Sequence, residues 1–110
     1  MRLIPHLILT CLLVGPALAA GGAFDERTAM KTLKQNKCFN CHSVTREKDG
    51  PSYQKVAADL KDHPDPKGKL YTHLTTSPTI TVDGKTETHT SLKTTDNAEI
   101  MNLVEWILSN

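Results

Sequence analysis

Apolar residues follow several different patterns along the 110-residue chain, and each pattern predicts a different kind of structure. Near the C-terminus they recur at the spacing of one helix face, at Ile100, Leu103, Val104, Ile107 and Leu108. Asp96 precedes this face as a favoured N-cap residue, and Glu99 follows three positions later, as in a capping box. The pattern predicts a C-terminal helix in which Met101 and Trp106 are packing residues.

Two further helices are predicted earlier in the chain. Asp25-Glu26 supplies acidic residues for a first helical turn, where they suit the positive end of the helix dipole. The apolar face of that helix comprises Ala29, Met30 and Leu33. A short middle helix is predicted over residues 70–74, after a loop over residues 63–68 that is rich in proline and glycine.

Alternating β-branched residues surround an Asp-Gly pair in the second half of the chain. Thr79–Val82 precedes Asp83-Gly84, and Lys85–Thr88 follows it. An Asp-Gly pair favours a two-residue hairpin turn because both residues adopt a positive φ there at low cost. The pattern therefore predicts a small β-hairpin between the middle and C-terminal helices.

The N-terminal apolar run has the features of a secretory signal peptide. Arg2 is its only charge, and an almost uninterrupted apolar run over residues 7–14 ends at Gly15-Pro16. Small residues up to Ala19 predict cleavage after that residue. We expect export to the periplasm and a mature domain of residues 20–110.

A membrane anchor is the alternative interpretation of the same run. The run is too short to cross the hydrocarbon core of a bilayer, which needs about 20 residues. Cys11 raises the possibility of a lipid anchor, but it lies inside the apolar run, and Leu9-Thr10 lacks the small residues expected before a lipidated cysteine. We therefore expect no integral membrane span in the mature chain.

Composition limits the function classes without selecting one. The chain has 13 Lys plus Arg against 12 Asp plus Glu, and Arg2 belongs to the predicted signal peptide. The mature domain is close to neutral, which gives no indication of a nucleic-acid partner. A domain of roughly 90 residues is marginally stable without an additional stabilising group. Only Cys38 and Cys41 remain in it, and a disulfide across so short a loop would constrain little of the chain.

The sequence Cys38-Phe39-Asn40-Cys41-His42 has the C-x-x-C-H spacing of a haem attachment site. Two intervening residues let one helical turn place both sulfurs along the edge of the haem that carries its two vinyl groups. His42 then projects beneath the haem iron. A thioredoxin-like pair would need a βαβ pattern, which is not present. A structural zinc site would need four Cys or His ligands, but the other histidines are scattered. The motif predicts one covalently bound haem c.

From Cys38 onward the chain resembles the small bacterial class I cytochromes c. Gly50-Pro51-Ser52-Tyr53 follows Cys38 by twelve residues, at the position of the family's Gly-Pro step and aromatic residue. The resemblance implies an all-α cytochrome c fold, with three to four helices packed around one haem and a small hairpin before the distal loop. It also implies that the first and last helices cross, and that the Pro51 carbonyl accepts a hydrogen bond from His42 and orients that ligand.

The chain departs from the family pattern on the distal side of the iron. Most class I cytochromes place a methionine there, but the methionines of this chain lie elsewhere, at Met1, Met30 and Met101. When Trp106 is matched to the aromatic residue of the family's last helix, His89 falls within one residue of the methionine position. We therefore expect bis-histidine ligation by His42 and His89, with a lower reduction potential than methionine ligation gives.

Two other histidines are alternatives to His89, as is a vacant or labile sixth site. His73 lies on the predicted middle helix, where family members often hold a basic side chain near a haem propionate, so it is expected to bind the cofactor without ligating it. His63 lies in the loop over residues 63–68 and is expected to be solvated.

Six-coordinate iron predicts an electron carrier that is not an enzyme, acting alone or as the cytochrome subunit of a periplasmic oxidoreductase. Its donor and acceptor would be redox proteins. The alternative is a sensor or binder of nitric oxide or carbon monoxide, in which His89 leaves the iron. Rapid carbon monoxide binding to the reduced protein would favour the sensor.

Overall fold

Four α-helices and one β-hairpin make up the described part of the chain. The computed structural model describes residues 24–110 and, apart from these, Gly15; the predicted signal peptide and its cleavage site lie outside the described residues. The elements in chain order are α1 (Glu26–Gln35), a single 3₁₀ turn (Cys38–Asn40), α2 (Tyr53–Leu60), α3 (Pro66–Thr75), β1 (Thr79–Val82), β2 (Lys85–Thr88) and α4 (Asn97–Leu108). Within residues 24–110, no helix combines the length and apolar character that crossing a membrane requires.

Helix α4 is the centre of the fold because it packs against all three other helices. Its contact with α1 buries Leu33 and Leu103 completely, which confirms the predicted crossing of the first and last helices. The rest of the core comes mainly from Ala29, Tyr53, Leu60, Leu70, Leu74, Val104, Trp106 and Ile107. Trp106 is 4% exposed, so its predicted packing role is confirmed.

The N-terminus of α1 is fixed to α4 by paired hydrogen bonds. The Asp25 backbone N–H donates to Asn102 Oδ1 at 2.6 Å, and Asn102 Nδ2 donates to the Asp25 carbonyl at 3.0 Å. The Asp25 carboxylate also caps α1, accepting from the Thr28 N–H at 2.7 Å. These bonds fix the start of α1 against α4. The turn that carries the C-x-x-C-H motif follows the other end of α1.

The start of α4 differs in one detail from the predicted capping box. Asp96 caps the helix by accepting from the Ala98 and Glu99 N–H groups. The Glu99 side chain does not return to the cap; it accepts from Thr32 Oγ1 at 3.3 Å and from Thr94 Oγ1 at 2.9 Å. Thr94 takes its place as the partner of the Asp96 N–H. Glu99 therefore joins α4 to α1 rather than closing its own helix end.

Helix α3 begins earlier than the sequence predicted. Residues 66–68 were expected in a loop, but the helix starts at Pro66 because Asp65 caps it, accepting from the Gly68 N–H at 3.0 Å. Proline is tolerated at the first helical position, where its missing N–H would have no partner. The Lys67–Glu105 ion pair, at 2.5 Å, then joins the start of α3 to α4.

The hairpin has the predicted strands and turn. Thr79 pairs with Thr88 and Val82 with Lys85, antiparallel, around Asp83 and Gly84 at φ 49° and 75°. These positive φ values are those of a type I′ turn. Ile80 and Val82 are half-buried while β2 is exposed throughout, so β1 turns one side toward the interior. The fold is all-α with a small hairpin, as expected.

Candidate haem site

The C-x-x-C-H motif forms a tight turn that begins at Lys37, which has a positive φ of 55°. The His42 N–H donates to the Cys38 carbonyl at 2.9 Å, and the Cys41 N–H reaches the same oxygen at 3.2 Å. Cys38 is half-buried and Cys41 is exposed, and within residues 24–110 neither forms a disulfide. Burial raises the pKa of the Cys38 thiol. The turn thus brings two free thiols and one imidazole together within five residues.

His42 is held in place by the Gly50-Pro51 step. Its Nδ1 lies 2.7 Å from the Pro51 carbonyl oxygen, the contact that the sequence led us to expect. Because a carbonyl only accepts, Nδ1 carries the ring proton and Nε2 keeps the free lone pair needed for a metal. Gly50 lies so close that a Cβ built on it would be 2.6 Å from His42 Cε1.

The Tyr53 ring packs against the His42 ring and connects it to the helical core. Its ring stacks on the imidazole with centroids 5.1 Å apart and planes inclined by 26°. On another side it meets Trp106 edge to face at 5.3 Å. Burial raises the pKa of Tyr53 far above its usual range, so the ring stays neutral. The sequence indicated an aromatic residue after Gly-Pro but did not assign it this role beside the ligand.

His89 lies immediately after β2, and its backbone is anchored. Its N–H donates to the Pro78 carbonyl at 2.8 Å, across the base of the hairpin. The ring is partly buried, and its Nδ1 is buried without a hydrogen-bond partner among residues 24–110. Burial lowers the pKa of His89, with smaller contributions from His73 and His42. A buried imidazole nitrogen without a partner in this part of the chain is costly, as is expected of a ring whose surroundings include a bound group.

The segment that follows His89 is also tied to the helices. The Leu92 N–H donates to the Leu74 carbonyl at 2.9 Å, at the end of α3. The Lys93 N–H donates to Asn36 Oδ1 at 2.9 Å, at the end of α1. The hydroxyl groups of Ser77 and Ser91 are 2.5 Å apart. We refer to residues 89–93 as the distal segment, and these bonds fix its backbone at several points.

All predicted site residues line one cavity of about 560 Å³. They are Cys38, Cys41, His42, Pro51, His73 and His89. Apolar side chains from several elements complete the lining, among them Leu33, Val56, Leu60, Leu70, Leu103 and Ile107. The volume lies within the range of roughly 300–1,000 Å³ typical of small-molecule and cofactor sites. An apolar cavity with two thiols and several imidazoles has the chemistry needed to hold a macrocycle and its metal.

The rings of His42 and His89 meet within this cavity. Their centroids are 6.2 Å apart, and their planes are inclined by 55°. An imidazole nitrogen binds a transition metal at about 2 Å and lies about 1.1 Å from its ring centroid, so two opposed imidazoles on one metal ion have centroids about 6.2 Å apart. The observed separation therefore leaves room for one metal ion between the two rings.

The other two histidines lie in different surroundings. The His73 ring is 4.4 Å from that of His89, inclined by 56°, and also lines the cavity. Burial lowers the pKa of His73, with smaller contributions from His42 and Lys69. His63 lines an outer cleft that shares His73 and Lys69 with the cavity, and its Nδ1 accepts from the Asp65 N–H at 2.9 Å. The expected role of His73 beside a haem propionate stays a prediction.

Comparison with known proteins decides the family. The family model for cytochrome c matches residues 28–110, nearly the whole described fold. The chain belongs to the cytochrome c family. Its structure is similar to that of the class 1 cytochrome MtoD from Sideroxydans lithotrophicus ES-1, with a TM-score of 0.75 and 40% identity over 79% of this chain and 97% of that one.

A second, more distant similarity concerns only the fold. Cytochrome c552 of Nitrosomonas europaea has a TM-score of 0.57 and 24% identity, over 77% of this chain and 98% of that one. No curated protein sequence matches the chain.

Membership of the cytochrome c family implies a covalently bound haem c with its iron. Such cytochromes are electron carriers rather than enzymes, and the haem supplies the redox chemistry when bound. In this cytochrome, Cys38 and Cys41 are the only thiols that line the cavity in the described part of the chain, so they would hold the macrocycle. The protein's own contribution is to position the ligands and to exclude water from the ring.

Proposed function

We propose that this chain is a periplasmic monohaem cytochrome that carries single electrons between redox proteins, with His42 and His89 as its two axial ligands. The observation that carries the proposal is the 6.2 Å separation of these two rings inside the cavity. Neither methionine of residues 24–110 lines that cavity, because Met30 and Met101 pack against the helical core instead. A histidine is therefore the available distal ligand.

Two imidazole ligands have a definite effect on the iron. A thioether from methionine favours the reduced form and raises the reduction potential, whereas an imidazole is the stronger donor and stabilises the ferric form. The proposed cytochrome is accordingly low-spin in both oxidation states and has a lower potential than its methionine-ligated relatives. It would accept electrons only from donors that are themselves low in potential.

The fixed distal segment supports electron transfer over small-ligand sensing. A sensor would require an open distal site, which movement of the distal segment away from the iron would provide. The hydrogen bonds to Pro78, Leu74 and Asn36 hold the backbone of this segment at His89, Leu92 and Lys93 and oppose such a movement. Each bond contributes about 0.5–1.5 kcal/mol to stability, and a rigid site suits electron transfer because little reorganisation accompanies the change of charge.

Export is the remaining part of the proposal. It is supported by the signal-peptide pattern of residues 1–19. The family match begins only after this pattern, at residue 28. The mature protein would be residues 20–110. Association with a larger oxidoreductase, as its cytochrome subunit, is compatible with a domain of this size.

The test of ligation is the substitution His89→Met in the haem-loaded protein. Because His73 also lines the cavity, both the parent and the variant carry His73→Ala, so that no second imidazole reaches the iron. We expect the parent to keep the wild-type low-spin spectrum. The variant should gain the charge-transfer band of methionine–iron bonding and a higher midpoint potential in potentiometric titration.

A matched control is His63→Met, since His63 lies in the outer cleft rather than the cavity. That substitution should change neither spectrum nor potential. If His73→Ala/His89→Met retains the spectrum and potential of its parent, His89 is not on the iron and the proposed ligation is wrong.

A further inference from the structure

The distal side of the cavity contains two imidazoles where one ligand is needed. His73 and His89 come from different elements, the last turn of α3 and the distal segment, yet their ring centroids are 4.4 Å apart. We propose that His73 is a reserve distal ligand, which binds the haem iron in place of His89 whenever His89 leaves it. This inference rests on the bis-histidine ligation proposed above.

The geometry makes the exchange a local movement. To occupy the position of the His89 ring, the His73 ring must move by 4.4 Å, the distance between the two centroids. A rotation of the side chain between staggered rotamers moves an imidazole on this scale while the helix stays in place. No element of the fold has to unfold for the second ligand to arrive.

The backbone contacts keep the two histidines together during the exchange. The Leu92 N–H donates to the Leu74 carbonyl, one residue beyond His73, so the distal segment and the end of α3 are joined directly. The His89 N–H is bound separately to Pro78. Departure of the His89 side chain therefore leaves an open space beside His73 rather than a displaced loop.

The exchange of ligands changes neither the charge nor the oxidation state of the iron site. The bond from the His89 imidazole to the iron breaks and a bond from the His73 imidazole forms, and both ligands are neutral nitrogen donors. The oxidation state of the iron does not change. The consequence is that the iron stays six-coordinate, so diatomic ligands do not gain access when His89 dissociates.

The experiment compares the spin state of the haem-loaded protein in a set of variants, by optical and electron paramagnetic resonance spectra. His89→Ala should remain low-spin with two nitrogen ligands, because His73 replaces the missing ring. His89→Ala combined with His73→Ala should lose that spectrum and become high-spin. His89→Ala combined with His63→Ala is the matched control and should stay low-spin, since His63 lies outside the cavity.

The other outcomes overturn one proposal or the other. If His89→Ala alone is high-spin, His73 does not reach the iron and the reserve ligand is refuted while the bis-histidine assignment stands. If the double variant with His73→Ala is still low-spin, another group is the replacement and the inference is again wrong. If His73→Ala alone becomes high-spin, His73 is the native ligand and the assignment of His89 fails.

A second measurement covers the case in which His89→Ala does not accumulate with haem. Carbon monoxide binding to the reduced protein is followed by stopped flow in the wild type and in His73→Ala. Without the reserve ligand, the fraction of protein with an open iron site rises, and we expect binding to be faster by about tenfold. Equal rates in the two proteins would contradict the proposal.

Discussion

Replacing Gly50 with alanine would place a methyl carbon against the proximal imidazole. A Cβ at this position lies 2.6 Å from Cε1, 2.9 Å from Nδ1 and 3.1 Å from Nε2 of His42. Carbon atoms in favourable contact are about 3.5–4.0 Å apart, so the ring must move. Its retreat is limited by the stacked Tyr53 ring and by the Pro51 carbonyl at 2.7 Å. Gly50 is thus required here by the close approach of a ligand.

The cost of this substitution is worked from two contributions. Overpacking in a well-packed site costs about 1–3 kcal/mol, and weakening the hydrogen bond from His42 to Pro51 adds about 0.5–1.5 kcal/mol. We expect the free energy of unfolding to fall by about 1.5–4.5 kcal/mol. With a slope of about 4 kcal/mol per molar guanidinium, the denaturation midpoint shifts by about 0.4–1.1 M. The displaced ring should also alter the reduction potential and the haem absorption spectrum.

Guanidinium denaturation of the haem-loaded protein, followed by haem absorbance, measures the effect, and Gly84→Ala provides the control. Gly84 has a φ of 75°, so alanine there costs about 1–2 kcal/mol of backbone strain, but its Cβ would meet no atom within 4 Å. The control should lose some stability and keep the wild-type potential. Gly50→Ala with the midpoint and potential of the wild type would refute the reasoning.

Two further substitutions test the interactions at the N-terminus of α1. Asn102→Ala removes both hydrogen bonds to the Asp25 backbone, and we expect a loss of about 1–3 kcal/mol in thermal unfolding; no change would show that the bonds are replaced by water. Hydrogen bonding from Thr28 lowers the pKa of the Asp25 carboxyl below 3.8. Its stabilising contribution is therefore present above pH 3.8 and is lost as the pH falls through the lowered value. Asp25→Asn should flatten the acid limb of stability against pH in unfolding titrations.

Elements with strong local signals could be predicted from the sequence. Helix α4 has a regular apolar face and an aspartate cap, and the hairpin has Asp83-Gly84, whose backbone conformation is set by the residue types themselves. Such features need no knowledge of distant contacts. The strands and the turn were confirmed for that reason, whereas the crossing of the terminal helices is a long-range contact that only the family resemblance implied.

Helix α2 was missed because its stabilising interactions are not visible in its own sequence. Tyr53–Leu60 is short, and a helix of eight residues depends on tertiary packing more than on propensity. Its cap, Ser52, accepts from the Lys55 N–H at 3.1 Å, and Tyr53 is fixed by His42 and Trp106. The same physical reason explains the change at Glu99, where long-range partners replaced the local capping box.

The two sides of the haem site differ in how far the sequence determines them. On the proximal side, the thiols, His42 and the Gly50-Pro51 step lie within fourteen consecutive positions and are connected by local hydrogen bonds, so a motif identifies them. On the distal side, His73 and His89 belong to separate elements, and only tertiary hydrogen bonds bring their rings to 4.4 Å. Spacing in the sequence favoured His89 as the ligand but could not predict that the His73 ring lies beside it. Since both donors are imidazoles, exchange between them would preserve the coordination chemistry, and with it the low potential that we propose, while changing which residue supplies the bond.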